Sequence, residues 1–362
     1  MEAKMKKTAI LFILMVFPLL LFSDEKEKKD EKKKLGAVAL PIIAYTPETS
    51  FMFGATGIGY YNREPKNRNS VQDTIKLSGI YTLKNQFMGM FRTDFYPVNE
   101  KILTTFFLAA NKSPEVFFGI GDNNNDKNKE KYLKEDIKFK AFLGLAVNKG
   151  IYLGPAFDIW KMNIKKKKSQ GMLENDNIEG ADGIEKYGFG IRLLVDKRDG
   201  TFYPLNGFLT EIKVLRYGME RSFINFFIDH RQYFNVFKDH VLAFQFIYNI
   251  NAGTVPFQMM APLGGEEMLR GYYKGYYLDK CMIAGQVEYR FPIYWRFEAT
   301  AFFAAGNVAP GPLSFDPERT AFAGGVGLRL MLDRREKIPI RFDVAVNREG
   351  KFSYYLSIMQ AF

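Results

Sequence analysis

From residue 36 to the end of the chain, apolar side chains recur at every second position. In 339–347, Ile340, Phe342, Val344 and Val346 share one face, and Arg341, Asp343, Ala345 and Asn347 share the other. In 187–196, Tyr187, Phe189, Ile191, Leu193 and Val195 alternate with Gly188, Gly190, Arg192, Leu194 and Asp196. In 322–333, Phe322, Val326, Leu328, Leu330 and Leu332 alternate with Gly325, Gly327, Arg329 and Asp333. A period of two belongs to strands, whose successive side chains leave opposite faces. A soluble sandwich would turn the apolar face inward. A membrane barrel turns it outward to lipid and fills its lumen with small, polar and charged side chains.

The N-terminus decides between the two. Lys4, Lys6 and Lys7 precede an apolar stretch from Ile10 to Phe22, broken only by Pro18; Ser23 and a run of charged residues follow. That is the pattern of a secretory signal peptide, assigned to 1–23. The stretch is shorter than the ~20 residues a spanning helix needs, which disfavours the alternative of an uncleaved anchor. No cysteine follows it, so a lipoprotein anchor is excluded. Residues 24–35 read as a charged periplasmic tether and 36–362 as the barrel. No later run reaches the ~18 apolar residues of a membrane helix. Aromatics make up 16% of the chain although mean hydropathy is slightly negative, as aromatic girdles on a barrel require. The single cysteine, Cys281, rules out an intrachain disulfide and a Cys-based zinc site. The net charge of +11 is scattered through loops of a secreted chain, so nucleic acid is not an expected partner. Outer-membrane lipid and lipopolysaccharide headgroups are.

Strands are expected at 36–46, 51–62, 74–84, 86–96, 101–111, 135–148, 151–163, 186–196, 207–217, 222–235, 240–251, 279–291, 294–305, 319–332, 339–347 and 351–362. The preferred fold is therefore an all-β membrane barrel of sixteen antiparallel strands, with fourteen the alternative count. An even count puts both termini on the periplasmic side. The long connections 112–134, 164–185, 252–278 and 306–318 all follow odd-numbered strands and share the outer side; the medium connections 63–73 and 197–206 fall on the inner side. The last strand ends on an aromatic, with Tyr354, Leu356, Ile358, Gln360 and Phe362 expected on one face.

The sixth outer connection carries the most specific signal: Gly264-Gly265, then Leu269-Arg270-Gly271-Tyr272. It resembles the [VL]-R-G-[FY] loop tip of the BamA/TamA-type outer-membrane barrel superfamily, the bacterial surface antigen family. Other segments are similar to that family in the same order. They are Asp196-Lys197-Arg198-Asp199 with Tyr203-Pro204 and Gly207, Glu288-Tyr289-Arg290-Phe291-Pro292, Gly325-Val326-Gly327-Leu328-Arg329, and Pro339-Ile340-Arg341-Phe342-Asp343. The resemblance implies that the sixth outer loop folds into the lumen and that its arginine meets the barrel wall. The family's F-x-D-x-G would supply an acidic partner, but here it reads Phe302-Phe303-Ala304-Ala305-Gly306, so Ala304 stands in its place. An unpaired buried guanidinium is costly. Glu288, lumen-facing by phase, is the expected substitute, with Glu298 the second candidate. Separately, the terminal aromatic after an alternating strand resembles the C-terminal signal by which bacterial outer-membrane barrels are recognised for insertion, which makes Phe362 the expected signal and the barrel-assembly machinery an expected partner. The tether leaves no room for the POTRA domains of classical members, so the resemblance is to the branch lacking them.

Several signals carry no chemistry. His230 adjoins Asp229, but neighbours on a strand face opposite ways. His240 and Asp239 sit at a turn. Asp122-Asn123-Asn124-Asn125-Asp126 lacks the glycine and closing acid of a calcium loop. Gly54, Gly57 and Gly59 precede no helix and are no nucleotide fingerprint. Lys165 to Lys168 read as a solvated outer loop. No catalytic residue, metal or cofactor is expected. The resemblance implies assistance in inserting or translocating polypeptides or other cargo at the bacterial outer membrane; the alternative is a passive channel or structural barrel.

Overall fold

The structure, a computed structural model, describes residues 34–46, 50–64, 71–98, 100–175, 177–219, 222–333 and 336–362. The expected signal peptide and nearly all of the tether lie outside these residues. Strands β1 to β11 span Leu35–Thr46, Ser50–Asn62, Gln72–Thr82, Phe87–Phe95, Ile102–Phe117, Glu130–Asn148, Ile151–Lys166, Gly183–Asp196, Gly207–Tyr217, Phe223–Phe237 and His240–Gly253. Two short strands, β12 (Ala261–Leu263) and β13 (Tyr277–Asp279), form a separate two-stranded ribbon. Strands β14 to β18 span Cys281–Tyr294, Phe297–Ala309, Ala321–Asp333, Ile338–Asn347 and Phe352–Ile358. Sixteen of the strands form one sheet in chain order, with β11 passing directly to β14. Every pairing is antiparallel, as sequential hairpins dictate. The preferred count of sixteen stands, and the alternative of fourteen falls.

The alternation sorts side chains as period two requires. Tyr187, Phe189 and Ile191 on β8 are each 58–59% exposed. Ile75 and Leu77 on β3 and Val326 on β16 are similarly bare. In water so extended an apolar surface would aggregate; lipid is the solvent it suits. The opposite face is buried, and Glu288, Arg290, Arg329 and Asp343 have no exposure at all.

The sheet curls until its two ends meet. The Tyr60 hydroxyl on β2 donates to Asp333 at the end of β16, 3.0 Å away, and Gln72 at the start of β3 donates to Glu336, 2.6 Å away. These bonds span the inner end, where Ile58, Tyr60, Phe202 and Ile338 also pack together. At the other end the outer loops touch. Gly121 bridges to Leu278, Asn124 donates to the Tyr276 carbonyl at 3.0 Å, and Lys351 meets Asp126 at 2.6 Å. The expected parity of long and medium connections is thereby seen in contacts.

Two expected boundaries are corrected. The connection 112–134 is mostly strand: β5 and β6 run for 16 and 19 residues, and the true connection is 118–129. A tilted spanning strand needs only ~9–11 residues, so the tops of these strands stand clear of the bilayer. There they carry ion pairs such as Lys112–Glu135 at 3.0 Å and Lys134–Glu115 at 3.0 Å. The last strand is shorter than expected. β18 stops at Ile358, and Met359 takes a positive φ of 75°. From there the chain leaves the wall for the lumen, where Gln360 finds polar partners in Glu298 and Arg329. Among the described residues β1 and β18 share no backbone pairing.

The topology predicts a labelling pattern. Single cysteines at Gln170 and Pro310 should react with a membrane-impermeant maleimide on intact cells. Cysteines at Lys149 and Lys238 should react only after the outer membrane is breached. The native Cys281 is buried and should stay silent. Labelling of all four on intact cells would break the assigned parity.

Candidate functional site

The connection between β11 and β14 does not arch away from the barrel. The β12–β13 ribbon carries its tip back into the lumen. Leu263, Met268, Leu269 and Tyr272 lie buried against Ala284, Ala304, Ala321 and Ala323 on the wall. Small side chains on β14, β15 and β16 thus form the lane into which the loop's larger ones fit. Ala304, which the family pattern would make aspartate, is part of that lane and is 2% exposed.

Arg270 sits at the centre with 1% exposure. Its Nη2 donates to Glu288 Oε2 at 2.7 Å, and its Nη1 donates to Asp343 Oδ2 at 2.7 Å. Its guanidinium carbon lies 3.5 Å from the centre of the Phe302 ring. The two carboxylates hold other cations as well. Arg290 Nε donates to Glu288 Oε1 at 2.8 Å, and Arg329 Nη1 donates to Asp343 Oδ1 at 2.5 Å. Arg341 Nε stands 3.7 Å from Asp343 Oδ2. Four arginines therefore share two carboxylates out of reach of water, and Arg341 also meets the half-exposed Glu266 of the loop at 3.5 Å. Charge-assisted bonds of this kind are strong, and each carboxylate is indispensable because it offsets more than one cation.

The wall glycines make room for this cluster. A Cβ on Gly327 would fall 2.1 Å from Asp343 Oδ1 and 2.4 Å from Arg329 Nη1. One on Gly325 would fall 2.6 Å from the Phe302 ring against which Arg270 lies. The G-x-G-x-R pattern is thus a spatial requirement of the cluster. Gly271 is constrained by conformation: its φ is +120°, which L side chains rarely adopt, and its amide donates to the Tyr355 hydroxyl at 2.9 Å. Tyr355 in turn donates to the Tyr272 carbonyl at 3.2 Å, and Ser353 Oγ donates to the Gly271 carbonyl at 3.3 Å. The tip is thereby fastened to β18, the last strand of the wall.

The structure brings Leu269, Arg270, Gly271, Tyr272 and Glu288 together. Glu298 lies elsewhere, hydrogen-bonded to the Tyr203 hydroxyl and to Gln360. Its backbone faces Arg329 on β16, at a level nearer the inner end than the loop tip reaches. The residue that sequence reasoning missed is Asp343. Its lumen phase beside Arg341 was visible in the alternation, but nothing in one strand's pattern says which distant loop it meets. Phe362 is 6% exposed, inside the lumen. Its carbonyl accepts from Arg290 Nη2 at 2.9 Å, and its ring packs with those of Tyr203 and Tyr233. The expected shared face of Tyr354, Leu356, Ile358, Gln360 and Phe362 therefore breaks at Met359, because Arg290, Arg329 and Glu298 offer polar partners inside that lipid does not.

The inner turn 197–206 packs into the inner end of the lumen, Phe202 against Ile58, Tyr60 and Ile338, and Tyr203 against Tyr233 and Phe362. Arg198 donates twice to Asp196, at 2.9 and 2.7 Å, and Tyr203 is buried. Asp229 and His230 face opposite ways: Asp229 pairs with Arg231 at 2.7 Å, while His230 Nδ1 lies 2.8 Å from Thr210 Oγ1 on the other face. His240 contacts the Tyr289 hydroxyl at 2.7 Å. In the outer loop Asn125 caps the turn at Lys127, and Asp126 is taken by Lys351.

No protein-family description and no curated protein matches the chain. Solved structures do match in fold. BamA from Haemophilus ducreyi lacking POTRA domains 1–3 is 12% identical, with a TM-score of 0.56 over 91% of this chain and 70% of that one. CdiB from Escherichia coli is 10% identical, with a TM-score of 0.56 over 90% of this chain and 61% of that one. CdiB from Acinetobacter baumannii is 9% identical, with a TM-score of 0.53 over 90% of this chain and 60% of that one. This chain thus spans about three fifths of the CdiB chains. At these identities the likeness is one of fold, a sixteen-stranded barrel.

The cluster's charge count predicts an order of effects. Arg270→Ala leaves three arginines for Glu288, Asp343 and Glu266, whereas Glu288→Ala leaves four for two carboxylates. Breaking a buried pair costs roughly 3–5 kcal/mol, so both variants should lower the urea midpoint of unfolding in detergent, Glu288→Ala the more. The double variant should fall short of the sum by about 1 kcal/mol or more. Additive losses would show that the two residues act independently.

Proposed function

We propose that this chain is an outer-membrane barrel of the BamA/TamA type that helps polypeptide segments into or across the bacterial outer membrane. The observation that carries the reading is the seam. β1 offers 12 residues of edge, while β18 offers 7 before its chain turns into the lumen. Unpaired backbone groups at a lipid-facing edge are costly, and an incoming strand would satisfy them. The likeness in fold to BamA and CdiB supports the same reading, as does the order of the family-like motifs. Arg270, seated on Glu288 and Asp343, would keep the loop in place and fasten it to β18 beside the seam. The work is done by backbone pairing and by loop position; no side chain forms or breaks a covalent bond. Partners on this reading are nascent outer-membrane or secreted polypeptides, the surrounding lipid and lipopolysaccharide, and the assembly machinery that inserts the barrel itself.

Depletion tests the proposal. Loss of the protein should lower the outer-membrane abundance of a defined set of proteins within a few generations, with their unfolded forms rising in the periplasm. An unchanged outer-membrane proteome would favour the passive channel or structural barrel instead. A photo-crosslinker placed at Val38 on β1 should capture a polypeptide during active synthesis and lose it when synthesis is blocked.

A further inference from the structure

The loop occupies the lumen against β14 to β18. The opposite wall, β3 to β10, has a different character. Lys76 on β3 lies directly across from Arg92 on β4. Arg192 on β8 lies directly across from Lys213 on β9. Lys138 and Lys140 are two apart on β6 and so share a face. All three cation pairs are on the lumen side, because their strand neighbours Ile75, Leu77, Ile137, Ile191 and Val214 are exposed to the outside. Like charges set side by side destabilise a sheet. Three such pairs on one wall need a compensating negative charge.

The wall's own carboxylates do not supply enough of it. Asp94 is taken by Arg92 at 3.2 Å, Asp158 by Lys140 at 3.4 Å, and Asp229 by Arg231 at 2.7 Å. Glu211 is shared between Arg192 at 3.1 Å and Lys213 at 3.6 Å. Among the described residues, Lys76 has no carboxylate within ion-pair distance. Neither has Lys138, whose Nζ stands 3.2 Å from the centre of the Trp160 ring instead. Lys134, by contrast, stands between two carboxylates, Glu115 at 3.0 Å and Asp136 at 3.5 Å, so the uncompensated cations of this wall are local ones: Lys76, Lys138 and one of the two on Glu211. The loop's own cluster carries four arginines on three carboxylates, Glu288, Asp343 and Glu266. A lumen enclosed by lipid focuses such a field.

We infer that the lumen is an anion-selective pathway, in which small inorganic anions such as chloride move along the β3–β10 wall past the seated loop. The lysines stand where a passing anion meets charge without having to displace a bound carboxylate. Rings of basic side chains are the ordinary means by which pores prefer anions. The inference concerns ion passage and does not depend on the polypeptide reading above.

Planar bilayers with a tenfold gradient of potassium chloride test it. The reversal potential of the wild-type protein should report a chloride-to-potassium permeability ratio of about 3 or more. Lys76→Glu with Lys138→Glu should bring the ratio below one. Lys76→Gln with Lys138→Gln should place it between the two, and carries the test if the charge-reversed protein shows no heat-modifiable band. A preference for potassium in the wild type would overturn the proposal. So would a ratio that the lysine substitutions leave unchanged, or the absence of conductance in both the wild type and the loop-loosened Arg270→Ala protein.

Discussion

Arg270 brings a permanent charge into a place without water, and much of the surrounding architecture answers to that charge. A buried guanidinium is tolerated only when its donors are met by acceptors of opposite charge. Glu288 and Asp343 meet it from two strands that are not neighbours, β14 and β17. For both to reach it the wall between them must curve, and its inner face must be shallow. Phe302, Gly325 and Gly327 provide that shallow floor. The loop's position thus follows from electrostatics, and its fit from an alanine and glycine lane that only small residues could form.

The same cluster links the loop to the part of the barrel that is least completed. Arg290 binds Glu288 with one edge and the carbonyl of Phe362 with another. Arg329 binds Asp343 and Gln360. The segment after β18 is therefore held in the lumen by the arginines that organise the loop's carboxylates. Tyr355 and Ser353 fasten the loop tip to β18 itself. The loop and the final strand are thus held by shared partners, Arg290, Arg329 and Tyr355.

Most of the fold was legible in the sequence because a barrel in lipid obeys one rule along its whole length. Alternation such as that of 187–196 marks strand and face, and the parity of connections groups the long loops at one end. The loop motif and Glu288 were legible too, the latter from strand phase alone. What was not legible was tertiary. Asp343 is separated from Arg270 by 73 residues, and its pattern on β17 is the same whether it faces a loop, a neighbour or water. Phe362 continued a clean alternation, yet the chain turns at Met359 because polar partners across the lumen outweigh the wall's period. The extension of β5 and β6 beyond the bilayer was hidden for another reason: above the membrane the outward face is polar as well, as at Lys131 and Glu135, so the alternation of polarity fades although Tyr132 and Asp136 stay buried on the inward face.

Amide hydrogen exchange of residues 264–275, measured in a lipid nanodisc, tests the seated loop most directly. A tip held by Arg270 and fastened through the Gly271 amide should exchange as slowly as the neighbouring wall strand β14, and should accelerate at least tenfold in Glu288→Ala. Exchange in the wild-type protein as rapid as that of the outer connection 118–129 would show the loop to be free in solvent and would contradict the account.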